Sequence, residues 1–269
     1  MFQQKAEILW NEPAGPAVYR IGLRCPTGYH HAKPGQFVML RISEGVDPLL
    51  RRPFSIHKPI VEENHTIGVE LLYKVVGKGT EVLAGRTQGK NLDILGPLGS
   101  AFRLPPEAKR VFIVAGGIGV APMVFLAQHL TNNGLNAHEC RVFLGGRTRE
   151  ELLCENEFAS LGFQLYTTTD DGTAGDQCLV THPVEMALED NRPDIVFACG
   201  PIDMLNCVIG IVEAAKVACQ ISIETMMACG MGACLGCAVT AKDKSNTYYH
   251  ACLDGPVFDT DSILVSSHA

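Results

Sequence analysis

The chain has 269 residues, 46% hydrophobic and 19% charged, with a formal net charge of −7. That balance describes a globular protein with a well-filled core, and its negative sign argues against nucleic acid or an anionic membrane as the main partner. Eleven cysteines, an odd count, and no signal peptide at Met1–Lys5 point to the reduced thiols of a cytoplasmic protein rather than to disulfides.

From Phe2 to about Phe102 the sequence runs in short β-type segments separated by Gly, Pro and Asn. Lys5–Trp10, Val18–Arg24, Phe37–Ile42, Phe54–Lys58, Thr66–Val75 and Asn91–Leu95 are the expected strands, and their regular spacing predicts a small antiparallel barrel. Lys33-Pro34-Gly35-Gln36 turns the chain into the third of them. Arg51-Arg52-Pro53-Phe54-Ser55 sets a guanidinium beside a hydroxyl at a strand entry, and Gly77-Lys78-Gly79-Thr80 is a glycine turn opening a short helix, Thr80–Ala84. An arginine fork and a glycine turn in one β domain are suited to a pyrophosphate, although each alone is a common strand entry or helix cap.

Leu104-Pro105-Pro106-Glu107-Ala108-Lys109 is a proline-marked linker, and the rhythm changes after it. Expected strands at Arg110–Ala115, Glu139–Leu144, Gln164–Thr168, Ile195–Ala198 and Gln220–Glu224 alternate with expected helices at 120–133, 149–157, 177–188 and 201–217. This alternation predicts a doubly wound parallel sheet, which binds nucleotides at the carboxyl ends of its strands. Val111–Leu130 carries no Asp, Glu, Lys or Arg and has the length of a membrane span, but Gly116-Gly117-Ile118-Gly119 and Pro122 divide it into strand, turn and helix. That loop reads Gly117-x-Gly119-x-x-Pro122, which permits close approach of a dinucleotide and puts proline in a first helical turn. A second loop, Cys199-Gly200-Pro201, precedes a helix carrying Met204, and together the two would frame NAD. No His or Asn signature makes Cys199 a nucleophile; a small wall beside the nicotinamide is the role expected of it. Arg147 and Arg149 follow the second strand, where a 2′-phosphate would sit in an NADP enzyme. The nine histidines lack metal-ligand spacing, so His30, His31 and His57 are expected at the surface or as satisfied core residues.

Near the end, Cys229, Cys234 and Cys237 stand at Cys-x4-Cys-x2-Cys spacing in a glycine-rich loop, and Cys252 follows after fourteen intervening residues. That is the plant-type spacing for a [2Fe-2S] cluster on four thiolates. Gly230, Gly232 and Gly236 would let the backbone wrap the core and turn amides toward its sulfurs. A four-thiolate zinc site usually needs two Cys-x2-Cys knuckles and only one exists here, while inert buried thiols would not require the glycines.

Arg52-Pro53-Phe54-Ser55, Gly79-Thr80, Gly117-x-Gly119-x-x-Pro122 and Cys199-Gly200-Pro201 resemble the ferredoxin–NADP reductase superfamily, which pairs a FAD-binding barrel with an NAD(P)-binding sheet. The four-cysteine tail, with Asp254-Gly255-Pro256-Val257-Phe258 beyond its last ligand, resembles the electron-transfer subunits of NAD-dependent dihydroorotate dehydrogenases of pyrimidine synthesis. The resemblance implies an FAD barrel over residues 1–103, an NAD domain over 104–223 and a small [2Fe-2S] domain over 224–269. It implies FAD contacts from Arg52, Pro53, Phe54, Ser55, Leu72, Tyr73, Lys74, Gly79 and Thr80, and cluster ligation by Cys229, Cys234, Cys237 and Cys252. A catalytic partner would oxidise dihydroorotate on FMN, in a heterotetramer of two of each subunit, and electrons would leave by way of the cluster and FAD to NAD+. Two other readings share the scaffold: the small subunit of a ferredoxin–NADP or sulfide-type oxidoreductase, and a free-standing NADH-dependent reductase. In the former an aspartate is expected where Cys229 stands, so four cysteines favour the dihydroorotate reading. A cluster-based redox sensor would leave the two nucleotide-type loops without a purpose.

Overall fold

The computed structural model describes residues 1–242 and 246–265. Six strands form the first half: β1 (Phe2–Gly15), β2 (Val18–Arg24), β3 (Phe37–Arg41), β4 (Arg52–Glu62), β5 (His65–Lys74) and, after helix α1 (Lys78–Ala84), β6 (Asn91–Leu98). They close into an antiparallel barrel in the order β1-β2-β5-β4-β3-β6. Closure removes the exposed sheet edges that such short strands would otherwise present.

The second half alternates β7 (Val111–Gly116), α2 (Ala121–Asn132), β8 (Arg141–Gly146), α3 (Glu155–Ser160), β9 (Gln164–Thr169), α4 (Thr181–Asp190), β10 (Ile195–Cys199), α5 (Ile202–Ala215) and β11 (Ala218–Ser222). Every residue of β7 and of β10 is buried, as an unbroken apolar run must be when helices cover both faces of a parallel sheet. Two short strands, β12 (Ala238–Thr240) and β13 (Tyr248–His250), form a hairpin in the tail, and β14 (Val257–Asp259) returns to the large sheet. The sheet order is β14-β11-β10-β7-β8-β9, with β14 antiparallel to β11 through Ile221↔Phe258.

Two expected helices are shorter than the sequence pattern indicates. The stretch 177–188 becomes helical only at Thr181. Pro183 explains the delay: it fits the first turn, but a helix begun at 177 would place it in the interior, without an N–H and against an earlier carbonyl. The stretch 149–157 is a 3-10 turn at Arg149–Glu151 followed by α3, with Cys154 between them at φ 64°.

Helix α2 is buried almost all round because it lies between barrel and sheet; Phe125 joins the barrel core while Val124 and Leu126 join the sheet's. Its first residue also ties the halves polarly, since His57 Nδ1 donates to the Ala121 carbonyl at 2.7 Å. Beside it, Glu70 is ion-paired to Lys58 at 3.3 Å and Arg20 at 3.7 Å, and Arg20 reaches across to Glu157 of α3. His57 is fully buried, as a core histidine, but its Nε2 has no hydrogen-bond partner among the described residues, so only one of its two nitrogens is satisfied. Burial, reinforced by the Arg20 and Lys58 charges, holds its pKa down to about 4.

This seam predicts a pH dependence. Between the unfolded value of about 6.5 and the folded value of about 4, the unfolded chain takes up a proton that the folded chain refuses. His57 should therefore cost stability as pH falls through that window, by up to about 1.4 kcal/mol per pH unit, and add nothing further below it. Urea midpoints of the holoprotein at pH 7, 6 and 5 should fall less steeply in His57→Gln than in the parent; parallel curves would remove His57 as the cause.

Candidate functional site

Successive strands run outward from β7 through β8 to β9, and the chain then crosses to β10 on the other side of β7. The carboxyl ends of β7 and β10 thus flank the point where the winding reverses, the place where such sheets open a crevice. A cavity of about 810 Å³ lies there. Gly117, Gly119, Gly200, Pro201 and Met204 all line it, so the two loops singled out in the sequence meet at one site. Gly119 makes the meeting possible: a Cβ on it would stand 2.4 Å from the Cys199 carbonyl oxygen and 2.6 Å from Gly200 Cα. Neither Arg147 nor Arg149 has a free guanidinium here. Arg147 lines the cavity but is paired with Glu151 at 2.6 Å, and Arg149 is paired with Glu155.

A second cavity, of about 270 Å³, opens between barrel and sheet. The barrel lines it with Arg52, Pro53, Phe54, Ser55, Leu72, Tyr73, Lys74 and Thr80, and the sheet with Pro122 and Cys199. Pro122 and Cys199 belong to this cavity rather than to the larger one, whereas Gly119 borders both. Gly79 lies beneath it, where a Cβ would come 3.1 Å from Arg52 Nε, so the glycine lets the guanidinium lie against the turn. Thr80 fixes that turn, its Oγ1 accepting from the amides of Val76 at 2.9 Å and Gly77 at 3.2 Å. Burial pushes the Cys199 thiol up to about 12, which keeps it neutral and makes it a wall rather than a nucleophile.

The two cavities join. Lys74, Ile118, Gly119, Ile223, Glu224 and Thr225 border both of them. Glu224 and Thr225 escaped the sequence reading as site residues, although they lie just past the end of β11, separated from Ser222 by Ile223 alone, on the strand end where such sheets bind ligands. Burial raises the Glu224 carboxyl above its usual pKa. Thr225 Oγ1 is buried at the junction without a partner among the described residues, an orphaned group that a ligand spanning the two cavities would satisfy.

Met227 lines the smaller cavity, and two residues later the chain enters the cysteine loop. There the Sγ atoms of Cys237 and Cys252 lie 3.2 Å apart, and Cys229 Sγ accepts the amides of Met231 and Cys234, each at 3.4 Å. The Gly232 amide donates to Cys252 Sγ at 3.2 Å. Gly230 and Gly232 take φ values of 71° and 79°, and the turns they make aim these amides at sulfur. Burial opposes ionisation of Cys229, yet the amides outweigh it and bring the thiol down to about 7. A close pair of thiols, Cys237 and Cys252, and a third, Cys229, accepting amide donors that include the Cys234 N–H, suit a compact metal–sulfur core.

Residues 224–264 match the family model described as the iron-sulfur cluster binding domain of dihydroorotate dehydrogenase B, and residues 113–209 match the oxidoreductase NAD-binding domain. The dihydroorotate dehydrogenase B (NAD(+)) electron transfer subunit of Desulforamulus reducens is 37% identical over 260 residues, covering 96% of this chain and 97% of its own. That of Caldanaerobacter subterraneus subsp. tengcongensis is 39% identical over 264 residues, covering 98% and 99%. A chain of the NADH-dependent reduced ferredoxin-NADP oxidoreductase structure superposes with a TM-score of 0.83 at 27% identity, over 97% of this chain and 90% of that one. Among the described residues no helix is long and apolar enough to cross a membrane. With such identity to its relatives from end to end, and a cluster-binding family model that covers all four of Cys229, Cys234, Cys237 and Cys252, the chain belongs to the family of dihydroorotate dehydrogenase B electron transfer subunits.

Proposed function

We propose that this subunit conducts electrons between a dihydroorotate-oxidising, FMN-containing partner and NAD+, in an assembly of two subunits of each kind. Cys229, Cys234, Cys237 and Cys252 would hold a [2Fe-2S] cluster, the smaller cavity would hold FAD, and the larger would admit NAD+. Bound there, the cluster supplies one-electron transfer and the flavin the exchange between single electrons and hydride. The observation that carries this reading is continuity: the two cavities share a border, and Met227 leads from the smaller one into the cysteine loop.

The chain's own residues bind, orient and exclude water. Arg52 lines the smaller cavity with its Nη1 anchored on the Leu50 carbonyl at 2.7 Å, which fixes a planar guanidinium suited to a pyrophosphate. Phe54 and Tyr73, in edge contact at 5.7 Å between ring centres, give that cavity a stiff apolar wall. Cys199 and Pro122 close the sheet side, and the neutral thiol there repels neither an electron-rich ring nor a nicotinamide. The amides on Cys229 and Cys252 stabilise negative charge on sulfur, favouring acceptance of an electron.

The test is to co-purify the tagged chain with its partner, record the visible spectrum and assay dihydroorotate-driven NAD+ reduction. A combined flavin and iron–sulfur spectrum with coupled turnover is expected; a colourless zinc protein would end the reading. Arg52→Ala should weaken flavin retention by about 1.5–3 kcal/mol, the range of a charged hydrogen bond. Full flavin occupancy of that variant after dilution would leave Arg52 as a strand entry only.

A further inference from the structure

The larger cavity contains an arginine placed as if to receive a 2′-phosphate, yet bound by a neighbour. Arg147 follows β8, the second strand of the parallel series, and in doubly wound folds an arginine near this point accommodates the 2′-phosphate of NADP. Its guanidinium is already occupied. Nη2 donates to Glu151 Oε1 at 2.6 Å, and Nε donates to Oε2 at 3.2 Å and Oε1 at 3.3 Å, so one face of the fork is fully paired with a carboxylate. Glu151 is in turn anchored from two further directions. The Arg147 amide donates to Oε2 at 3.1 Å, and Lys74, arriving from the barrel, donates to Oε1 at 3.1 Å.

We propose that Glu151 masks a latent 2′-phosphate site on Arg147, making it the specificity-determining residue that directs the cavity to NAD(H). The inference rests on the reading of this cavity as the NAD site and adds the residue that selects the nucleotide. A phosphate approaching Arg147 would have to displace a carboxylate held by four donors, Nη2, Nε and the amide of Arg147 and the Lys74 ammonium. It would then sit beside that carboxylate and near Asp170, a second acid on the same wall. Repulsion of the wrong ligand by fixed like charge is an efficient route to discrimination, because the correct ligand, with a neutral 2′-hydroxyl, is not repelled by these carboxylates. The other arginine of the loop, Arg149, is turned away to Glu155 and does not line the cavity.

The fragment pair 2′,5′-ADP and 5′-AMP isolates the 2′-phosphate from electron transfer, so calorimetric titration of the flavin- and iron-loaded protein reads the mask directly. E151Q should raise the affinity for 2′,5′-ADP relative to 5′-AMP by about tenfold, equivalent to about 1.4 kcal/mol. The gain should vanish in the E151Q/R147A double variant. R147A in the parent background should leave the affinity ratio within about twofold of the parent's, because a masked arginine contributes nothing to lose. That variant removes an exposed side chain, so it reports even where E151Q folds poorly. The ratio of kcat/KM for NADPH to that for NADH, with ferricyanide as acceptor, should move in parallel. An unchanged ratio in E151Q, a gain that survives R147A, or a tenfold loss in R147A alone would each overturn the mask. If the parent bound neither fragment and did not oxidise NADH, the NAD reading of the cavity would fall first, an outcome distinct from the other three.

Discussion

Cys237→Ala is expected to empty the cysteine loop of iron and to lower coupled dihydroorotate-to-NAD+ turnover by more than about 100-fold. Disturbing only the groups that orient metal ligands typically costs about 10–100-fold, and this change deletes a proposed ligand. Cys237 is buried and its sulfur lies 3.2 Å from that of Cys252, inside the loop and away from solvent. Three residues of the loop, Gly230, Gly232 and Leu235, sit in left-handed backbone conformations, for Leu235 a strain that the surrounding contacts must hold in place. Oxidation of NADH by ferricyanide should survive within a few-fold, because the two cavities are built mainly from barrel and sheet and neither is lined by Cys237. Iron analysis, the visible spectrum and the two assays on the same preparation decide the matter. Retained iron would remove Cys237 from the ligand set, and full coupled turnover without iron would route the electrons elsewhere.

Gly119→Ala should damage the nucleotide end as severely. The added Cβ would lie 2.4 Å from the Cys199 carbonyl oxygen and 2.6 Å from Gly200 Cα, both backbone atoms that no rotamer change can move aside. The loops after β7 and β10 would have to part by roughly 1 Å to recover ordinary contact. Misplacement on that scale costs about 100-fold in kcat/KM, and the overpacking itself about 1–3 kcal/mol of stability. NADH oxidation with ferricyanide should fall accordingly while the cluster spectrum persists. Parent-like kcat/KM in a folded variant would mean the two loops do not jointly hold the nucleotide.

Much of this arrangement was legible in the sequence because it depends on local chemistry. The cysteine spacing, the Gly117–Pro122 loop and the Arg52–Ser55 entry each require particular residue types at fixed separations, and the fold brings each to a cavity or to the thiol cluster. What escaped notice depends on partners distant in sequence. Glu151 looks like any surface acid in the chain order, and only folding brings Lys74 against it from a different half. His57 looked like a satisfied core residue, but one of its nitrogens is left over at a seam that sequence cannot locate. Glu224 and Thr225 carry no motif and matter because a strand happens to end there. Strand β14 is three residues long, too short for any periodicity to announce it, and it forms because β11 offers an unpaired edge.

That last strand bears on how the subunit could be altered or built upon. Ser100, just past the barrel, donates its amide to the Gly255 carbonyl and its hydroxyl to the Val257 carbonyl at 2.9 Å, while Val257–Asp259 complete the edge of the sheet. The segment after the last cysteine therefore works as a keystone, wedged between the two nucleotide-type units and fixing the cysteine loop to both. A cysteine loop hung on a flexible linker would sample many distances from the cavities, whereas this one is tied down on both sides by the returning segment. Transplanting it onto another reductase would require more than four cysteines and their glycines: the recipient would need an open parallel-sheet edge and a barrel exit shaped to receive the returning chain.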